Sequence, residues 1–553
     1  MKARYYKMKS YFIVPLLLLL IGGCNDFLDL KPESSIPPST YWKTTGDAKN
    51  WMAGIYNQMQ RTLQTNWYDW GEARSDNNDP LTSGTTQLVL VGNTFNSSES
   101  STANVINWQQ LYATILLCNT GIKYFPDMIR SDVDAVGYTF VDYLGQCYGM
   151  RALMYFYAVR LWGRVPLITE AIENSKDPMQ FPRASIREVR DQIEADAFQA
   201  IEYLNPIEND NTRKYYITRD AMYALLTDLY ATFQEYDKVI EISDLFTSTT
   251  KCAWIANANN WKLLFTDPVG SAATENILVM YWDYIEFGGS FGYAGRLGSA
   301  ANTSSFKVRN NLFQKLLSRK KSDPSRSDAR WWHCFDSIIY KSAITYEAQG
   351  TKLGKCMRWD GSQFIYDAAA QSNVRMPIYR YADVMTLRAE ALALTGRRDE
   401  ALTILQKLRS RVGYNPTYAE DPTNHQQYYD DLEFEGEDAN TALQDAILDE
   451  RQLEFLAEGK RWFDLCRVGK TIFTRPYYDN SYNGAQTPKP RISPDSYAYL
   501  RSHVNSTLLR RAGFPDMLDF EGDNINRILL PIISGAFTPN PYLRGDQNFP
   551  YDE

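Results

Sequence analysis

Apolar side chains recur every three or four residues through most of the chain, the period of helices with one buried face. Trp108, Leu111, Ile115, Cys118, Ile122 and Phe125 form one stripe, and Tyr148, Ala152, Tyr155, Val159 and Trp162 a second. Ile186, Val189, Ile193, Ala197, Ala200 and Leu204 form a third, and Met222, Leu225 and Leu229 a fourth. Further on, Val384, Leu387, Ala391 and Leu394 stop at Gly396, and Ala401, Leu405, Leu408 and Val412 resume the pattern. Between about residues 250 and 375 the helical period fades. There Glu275 to Trp282 reads as a strand, and Gly288 to Gly298 as a glycine-rich loop.

Two of these stripes sit on either side of a single turn. The run Ala389 to Leu402, with Gly396 reversing the chain, looks like a tetratricopeptide-type helical hairpin, in which small residues let two helices approach. Ala221 to Phe246 is a weaker second copy, its second helix opening at Tyr236. Such hairpins bury their apolar faces only by stacking on one another. The expected architecture is therefore mainly α. A helical scaffold over about 108–248 and 378–468 holds a loop-rich insertion with short strands over about 250–375.

The first residues follow a different logic. Lys2, Arg4, Lys7 and Lys9 precede an apolar run from Ile13 to Ile21, and Gly22, Gly23 and Cys24 come next. Basic, then apolar, then small is the order of an export signal, and the apolar run is shorter than the roughly 20 residues a spanning helix needs. Ile21-Gly22-Gly23-Cys24 resembles a bacterial lipobox, which makes residues 1–23 a signal peptide and Cys24 the lipidated residue. Residues 24–40, rich in Pro and Ser, then read as a leader to a domain over 41–553.

Composition narrows the chemistry. A net charge of −8 gives no basic stripe for phosphates, which argues against a nucleic-acid partner. Three histidines leave little for zinc sites or histidine-based triads. The six cysteines beyond Cys24 form no C-x-x-C pair and read as buried thiols, with disulfides the alternative that an oxidising compartment would permit. Glu450, Glu454 and Glu458, beside Arg451 and Arg461, are spaced along one helix and read as an ion-pair network on its surface rather than as a hydrolytic carboxylate pair. Gly288, Gly289 and Gly292 lack the Lys and helix start of a phosphate loop, and His333 with Cys334 supplies only two metal ligands. The sequence thus calls for no catalytic residues, cofactor or metal.

Aromatic residues are in excess: 38 Tyr, 25 Phe and 13 Trp, more than the helix faces account for. Trp67, Tyr68 and Trp70 lead into Arg74 and Asp76. Trp282 and Tyr284 lead into Phe291 and Tyr293, with Arg296 beyond. Flat rings beside carboxylates and guanidinium groups suit a sugar, whose C–H face stacks on a ring while its hydroxyls take the hydrogen bonds. These ten residues are the expected ligand contacts.

Several ordered motifs carry a resemblance. They are Tyr41-Trp42 with Asp47-Ala48, Gly54 to Asn57, Trp108 to Tyr112 with Cys118-Asn119, Arg151 to Tyr155, and Leu161 to Ile168. Tyr379 to Met385, Ala389 to Ala391, Glu450-Arg451, Glu458 to Leu465, Leu530 to Ile532, and Gln547-Asn548 with Tyr551 continue the series. Together with Cys24 they resemble the SusD/RagB family of nutrient-binding lipoproteins of Bacteroidota. The resemblance implies four tetratricopeptide-like hairpins against a variable, ligand-binding half. It implies a position on the outer face of the outer membrane, capping a SusC-like TonB-dependent transporter, and binding of oligosaccharides without cleavage. Some members bind peptides instead, and a surface glycoside hydrolase is the rival from another class. The motifs themselves are mainly scaffold, although Glu72 to Asp76 resembles a recurrent segment near the ligand site.

Overall fold

The structure is a computed structural model that describes residues 41–468 and 529–548, with gaps of which the longest cover 283–295, 297–304, 336–352 and 356–374. The signal peptide, Cys24 and the leader lie outside the described residues.

The described chain opens with α1 (Thr45–Leu63), started by a capping box in which Thr44 accepts from the Asp47 amide and Asp47 from the Thr44 amide. Long antiparallel helices follow: α2 (Gln109–Ser131), α3 (Gly137–Trp162) and α4 (Ile186–Tyr203), the last with its own Ser185/Glu188 box. Next come α5 (Arg219–Thr232), α6 (Tyr236–Thr249), α7 (Tyr381–Leu394) and α8 (Arg398–Ser410). The described helical part closes with α9 (Gln426–Phe434), α10 (Ala439–Glu454) and α11 (Arg461–Val468).

Each helix packs on its neighbours in chain order, α1 on α2 and so on through α6, which rests on α7; α7 in turn packs on α8 and α10. The apolar stripes face these contacts. Leu111, Ile115, Cys118 and Phe125 of α2 are buried, as are Ile186, Val189, Ile193, Ala197 and Ala200 at the base of α4. Burying such faces, at about 25 cal/mol per Å² of apolar surface, is what makes helices of this length stable in water. The mainly helical fold thus agrees with the sequence reading.

The two hairpins differ at one residue. Gly396 takes φ +81° between α7 and α8, and Gln234 takes φ +57° at the equivalent turn between α5 and α6. A glutamine adopts that conformation at a cost, and its amide offsets some of it by donating to the Arg467 carbonyl at 3.2 Å. This substitution is why the second hairpin reads weakly in the sequence.

Among the described residues three two-stranded antiparallel ladders tie separate segments together: β1 (Asn78–Pro80) with β5 (Phe306–Val308), β2 (Val165–Pro166) with β3 (Arg183–Ala184), and β4 (Asn276–Val279) with β6 (Pro377–Arg380). β4 falls within the stretch read as a strand and joins the insertion to the start of α7.

The insertion is also bolted to the scaffold by charge. Glu450 accepts from Arg319, Arg330 and Arg409, and Glu454 from Arg330, Arg380 and Arg411. Glu458 takes Lys355 and Arg380, while Glu275 adds to Arg380 and Arg411. Here the sequence reading needs correction. Glu450 and Glu454 lie on α10, but the helix ends at Glu454 and Glu458 sits in the turn beyond it; all three are buried rather than exposed, and Arg451 and Arg461 pair elsewhere. Burial alone would raise the carboxyl pKa of Glu450 and Glu454. The surrounding guanidinium groups hold both well below the usual carboxylate range.

Candidate functional site

The first aromatic cluster lies in the core. Trp67, Tyr68, Trp70, Arg74 and Asp76 are each 5% exposed or less, on a short helical turn (Asn66–Tyr68) and a π-helical turn (Asp69–Ala73) leading to β1. Trp70 packs edge-on to Trp162 and donates its indole N–H to the Val105 carbonyl at 2.8 Å. The Tyr68 hydroxyl donates to Asn78 Oδ1. Arg74 lies over the Trp462 ring, 4.3 Å from its centroid, and donates to Asn93 Oδ1. Asp76 receives both arms of Arg461, at 2.8 and 2.9 Å.

These five residues therefore join the N-terminal segment to the run Glu458 to Asp464 and present no face to a ligand, contrary to the expectation. The approach is close enough that a Cβ on Gly71 would sit 1.9 Å from the Gly459 carbonyl oxygen. Glu72 sits inside this brace. Burial, opposed by its bonds from Asn77 and the Ala457 amide, pushes its carboxyl up to about 7.

The second cluster divides. Trp282 is also buried, so it too is corrected from ligand contact to core. Arg296 is half-buried and donates to Asp69 Oδ2 at 2.5 Å, which commits it to a buried carboxylate. Tyr284, Phe291 and Tyr293 lie outside the described residues. The residue beside Trp282 has a different fate: Tyr281 is only partly buried and lines a cleft.

That cleft, of about 350 Å³, is walled by Tyr56, Met59 and Gln60 of α1, by Tyr215 and Tyr216, and by Tyr281 beyond β4. Tyr56 and Tyr216 meet edge to face with centroids 5.1 Å apart, and Tyr215 and Tyr281 do the same at 5.1 Å. The frame is fixed from behind. The Tyr56 hydroxyl donates to Gln146 Oε1 at 2.7 Å and accepts from the Ile217 amide at 2.9 Å, and Gln60 Nε2 donates to the Tyr281 carbonyl at 2.6 Å. Tyr216, 41% exposed, offers ring surface to solvent. Sequence reasoning missed this set. Tyr56 stood among scaffold motifs, Tyr215 and Tyr216 carried no signal of their own, and Tyr281 was passed over for its neighbour.

A larger groove of about 680 Å³ runs between the start of α2 and residues 533–543. Its lining is mainly aliphatic and aromatic; Tyr112 donates to the Pro166 carbonyl and Asn540 to the Phe181 carbonyl, and Asn107 and Gln109 stand at its edge. Among the described residues no group of three metal-ligating side chains occurs. His333 stacks on Trp261 with its pKa pushed down to about 4 by burial, and burial pushes the Cys334 thiol up to about 12.

Comparison with known proteins matches this architecture. A family model described as "SusD family" matches residues 340–551, and a second, "Starch-binding associating with outer membrane", matches residues 26–231. The chain belongs to the SusD/RagB family. Members are non-catalytic binding proteins, and the family is one of outer-membrane-associated, starch- and sugar-binding proteins. Among relatives, SusD-like protein P38 of Formosa agariphila is 28% identical over 493 residues, covering 84% of this chain and 93% of that one. SusD-like protein P2 of the same organism is 24% identical over 495 residues, covering 84% and 92%. A solved SusD homologue from Bacteroides thetaiotaomicron shares the fold with TM-score 0.67 at 18% identity, covering 92% of this chain and 97% of that one. B. fragilis NanU does so with TM-score 0.65 at 20% identity, covering 95% and 100%.

Proposed function

We propose that this SusD/RagB-family chain captures oligosaccharides at the cell surface in its tyrosine cleft and passes them to a SusC-like TonB-dependent transporter. The observation that carries the reading is the cleft itself. Four tyrosines in two edge-to-face pairs surround a space of about 350 Å³, on a fold whose family binds sugars. That volume falls at the lower end of small-ligand sites and suits one or two sugar rings. The family's outer-membrane association, with Cys24 directly after a basic and then apolar segment, supports a lipid tether through that cysteine. More than one acyl chain makes such a tether stable.

Affinity electrophoresis of the full chain through gels containing single polysaccharides tests the cleft. Retardation by at least one polysaccharide, abolished in Tyr281→Ala, supports the reading. Equal retardation of variant and wild type removes the cleft from it. Fractionation of cells carrying Cys24→Ala tests the tether, and the variant should leave the membrane fraction.

A further inference from the structure

Nearly every buried or half-buried arginine described above is matched to a carboxylate: Arg151 to Asp196, Arg319 and Arg409 to Glu450, Arg380 to Glu458, Arg461 to Asp76. Arg375, beside the tyrosine cleft, is an exception. Its guanidinium lies over the Tyr281 ring, 5.0 Å from the centroid, and one arm donates to the Tyr215 hydroxyl at 3.3 Å. Among the described residues no carboxylate pairs with it. Lys214, next to Tyr215 in the chain, gives its ammonium to the Ala273 carbonyl at 2.9 Å and likewise lacks a carboxylate partner among the described residues. Asp267 is close enough for both Lys214 and Tyr215 to feel its charge, but it bridges to neither Lys214 nor Arg375. Arg375 thus stands at the Tyr215–Tyr281 pair as a cation without a carboxylate among the described residues, in a protein whose net charge is −8.

A guanidinium stacked on a ring and held by a hydroxyl is pre-organised, and its remaining N–H donors form a planar fork that fits an oxyanion. A neutral sugar would not need it, because hydroxyls are satisfied by neutral donors and acceptors. We propose that the tyrosine cleft takes a glycan bearing an anionic substituent, a carboxylate or a sulfate, and that Arg375 recognises that anion while Tyr281 and Tyr216 stack on the sugar. The inference rests on the reading of the cleft as the glycan site.

Calorimetric titration of the full-length protein tests it with matched probes: uronate-containing oligosaccharides, their carboxyl-reduced neutral counterparts, and sulfated galactan oligosaccharides. At least one anionic probe should bind tenfold or more tightly than its neutral counterpart. Arg375→Gln should erase that difference while leaving weak neutral binding intact, and Arg375→Lys should restore part of it. Thermal unfolding of the two variants checks that both are folded, and rescue by lysine separates recognition of charge from a packing role. Preference for uronate over sulfate, or the reverse, names the anion. Neutral probes binding as tightly as anionic ones would overturn the anionic reading and leave the cleft in place. Binding of every probe unchanged in Tyr281→Ala would overturn the cleft as well.

Discussion

The brace around Trp70 and the cleft around Tyr281 are built from the same kinds of residue, rings beside amides and guanidinium groups, and they do opposite things. In the brace every ring is covered and every charge is answered from within the chain: Arg74 by Trp462 and Asn93, Asp76 by Arg461. In the cleft the rings meet edge to face but leave surface uncovered, and among the described residues Arg375 is answered by a hydroxyl and a ring without a carboxylate. What separates core from site is therefore not residue type but whether the protein itself completes the set of partners.

The strongest way to break this contrast is to leave buried charge unanswered. Glu454→Ala takes one carboxylate from each of Arg330, Arg380 and Arg411, which then share Asp328, Glu450, Glu458 and Glu275 and leave the buried cluster short of negative charge. It should cost about 3–5 kcal/mol in urea unfolding, since removing one partner of a buried pair leaves the other uncompensated. Next, Trp70→Ala should lose about 3–4 kcal/mol for a large buried ring, whereas Tyr216→Ala, at an exposed ring, should lose about 1 kcal/mol or less while weakening ligand retention. Equal losses of stability in the two variants would mean that the cleft is core too.

A third test uses pH. Glu72 has its pKa raised from 4.5 to about 7 by burial, so its contribution to stability is fully present below 4.5 and is lost as pH rises through about 7. Glu72→Gln lacks that dependence. Relative to wild type it should gain up to about 3 kcal/mol between pH 4 and pH 8 in paired unfolding curves. The smallest effect is expected at Gly54, an exposed glycine within α1 where an added Cβ meets nothing within 4 Å. Gly54→Ala should stabilise the helix that carries Tyr56 and Gln60 by up to about 1 kcal/mol, with ligand binding unchanged.

The helical scaffold was legible because each stripe is local: Leu111, Ile115, Cys118 and Phe125 announce their shared face within four turns. The turn at Gln234 was less so, because its left-handed conformation is held by a carbonyl 233 positions away. Glu450 and Glu454 could be placed on one helix face, but the end of that helix before Glu458 and the burial of all three depend on distant partners, the arginines at 319, 330, 380, 409 and 411 among them. The same limit explains the site. Nothing near Trp67 or Arg74 in the chain foretells Gly459 and Trp462 covering them, and nothing near Tyr281 foretells Tyr56 and Tyr215 beside it. Local period reports which side chains share a face; the opposing surface comes from elsewhere in the sequence.

The contact between Asp76 and Arg461 spans 385 positions, and it sets a schedule for biosynthesis. The helical hairpins can form as each emerges from the ribosome, because their partners are neighbours in the chain. In the segment from Trp67 to Asp76, Tyr68, Arg74 and Trp70 find Asn78, Asn93 and Val105 nearby in the chain, but Asp76 and the face of Arg74 wait for Arg461 and Trp462. Closure of the brace is then a late event that joins Asp76 to Arg461. A polypeptide cut short anywhere before Asp464 would carry an unclosed aromatic seam, a ready signal for the proteases and chaperones that police the cell envelope.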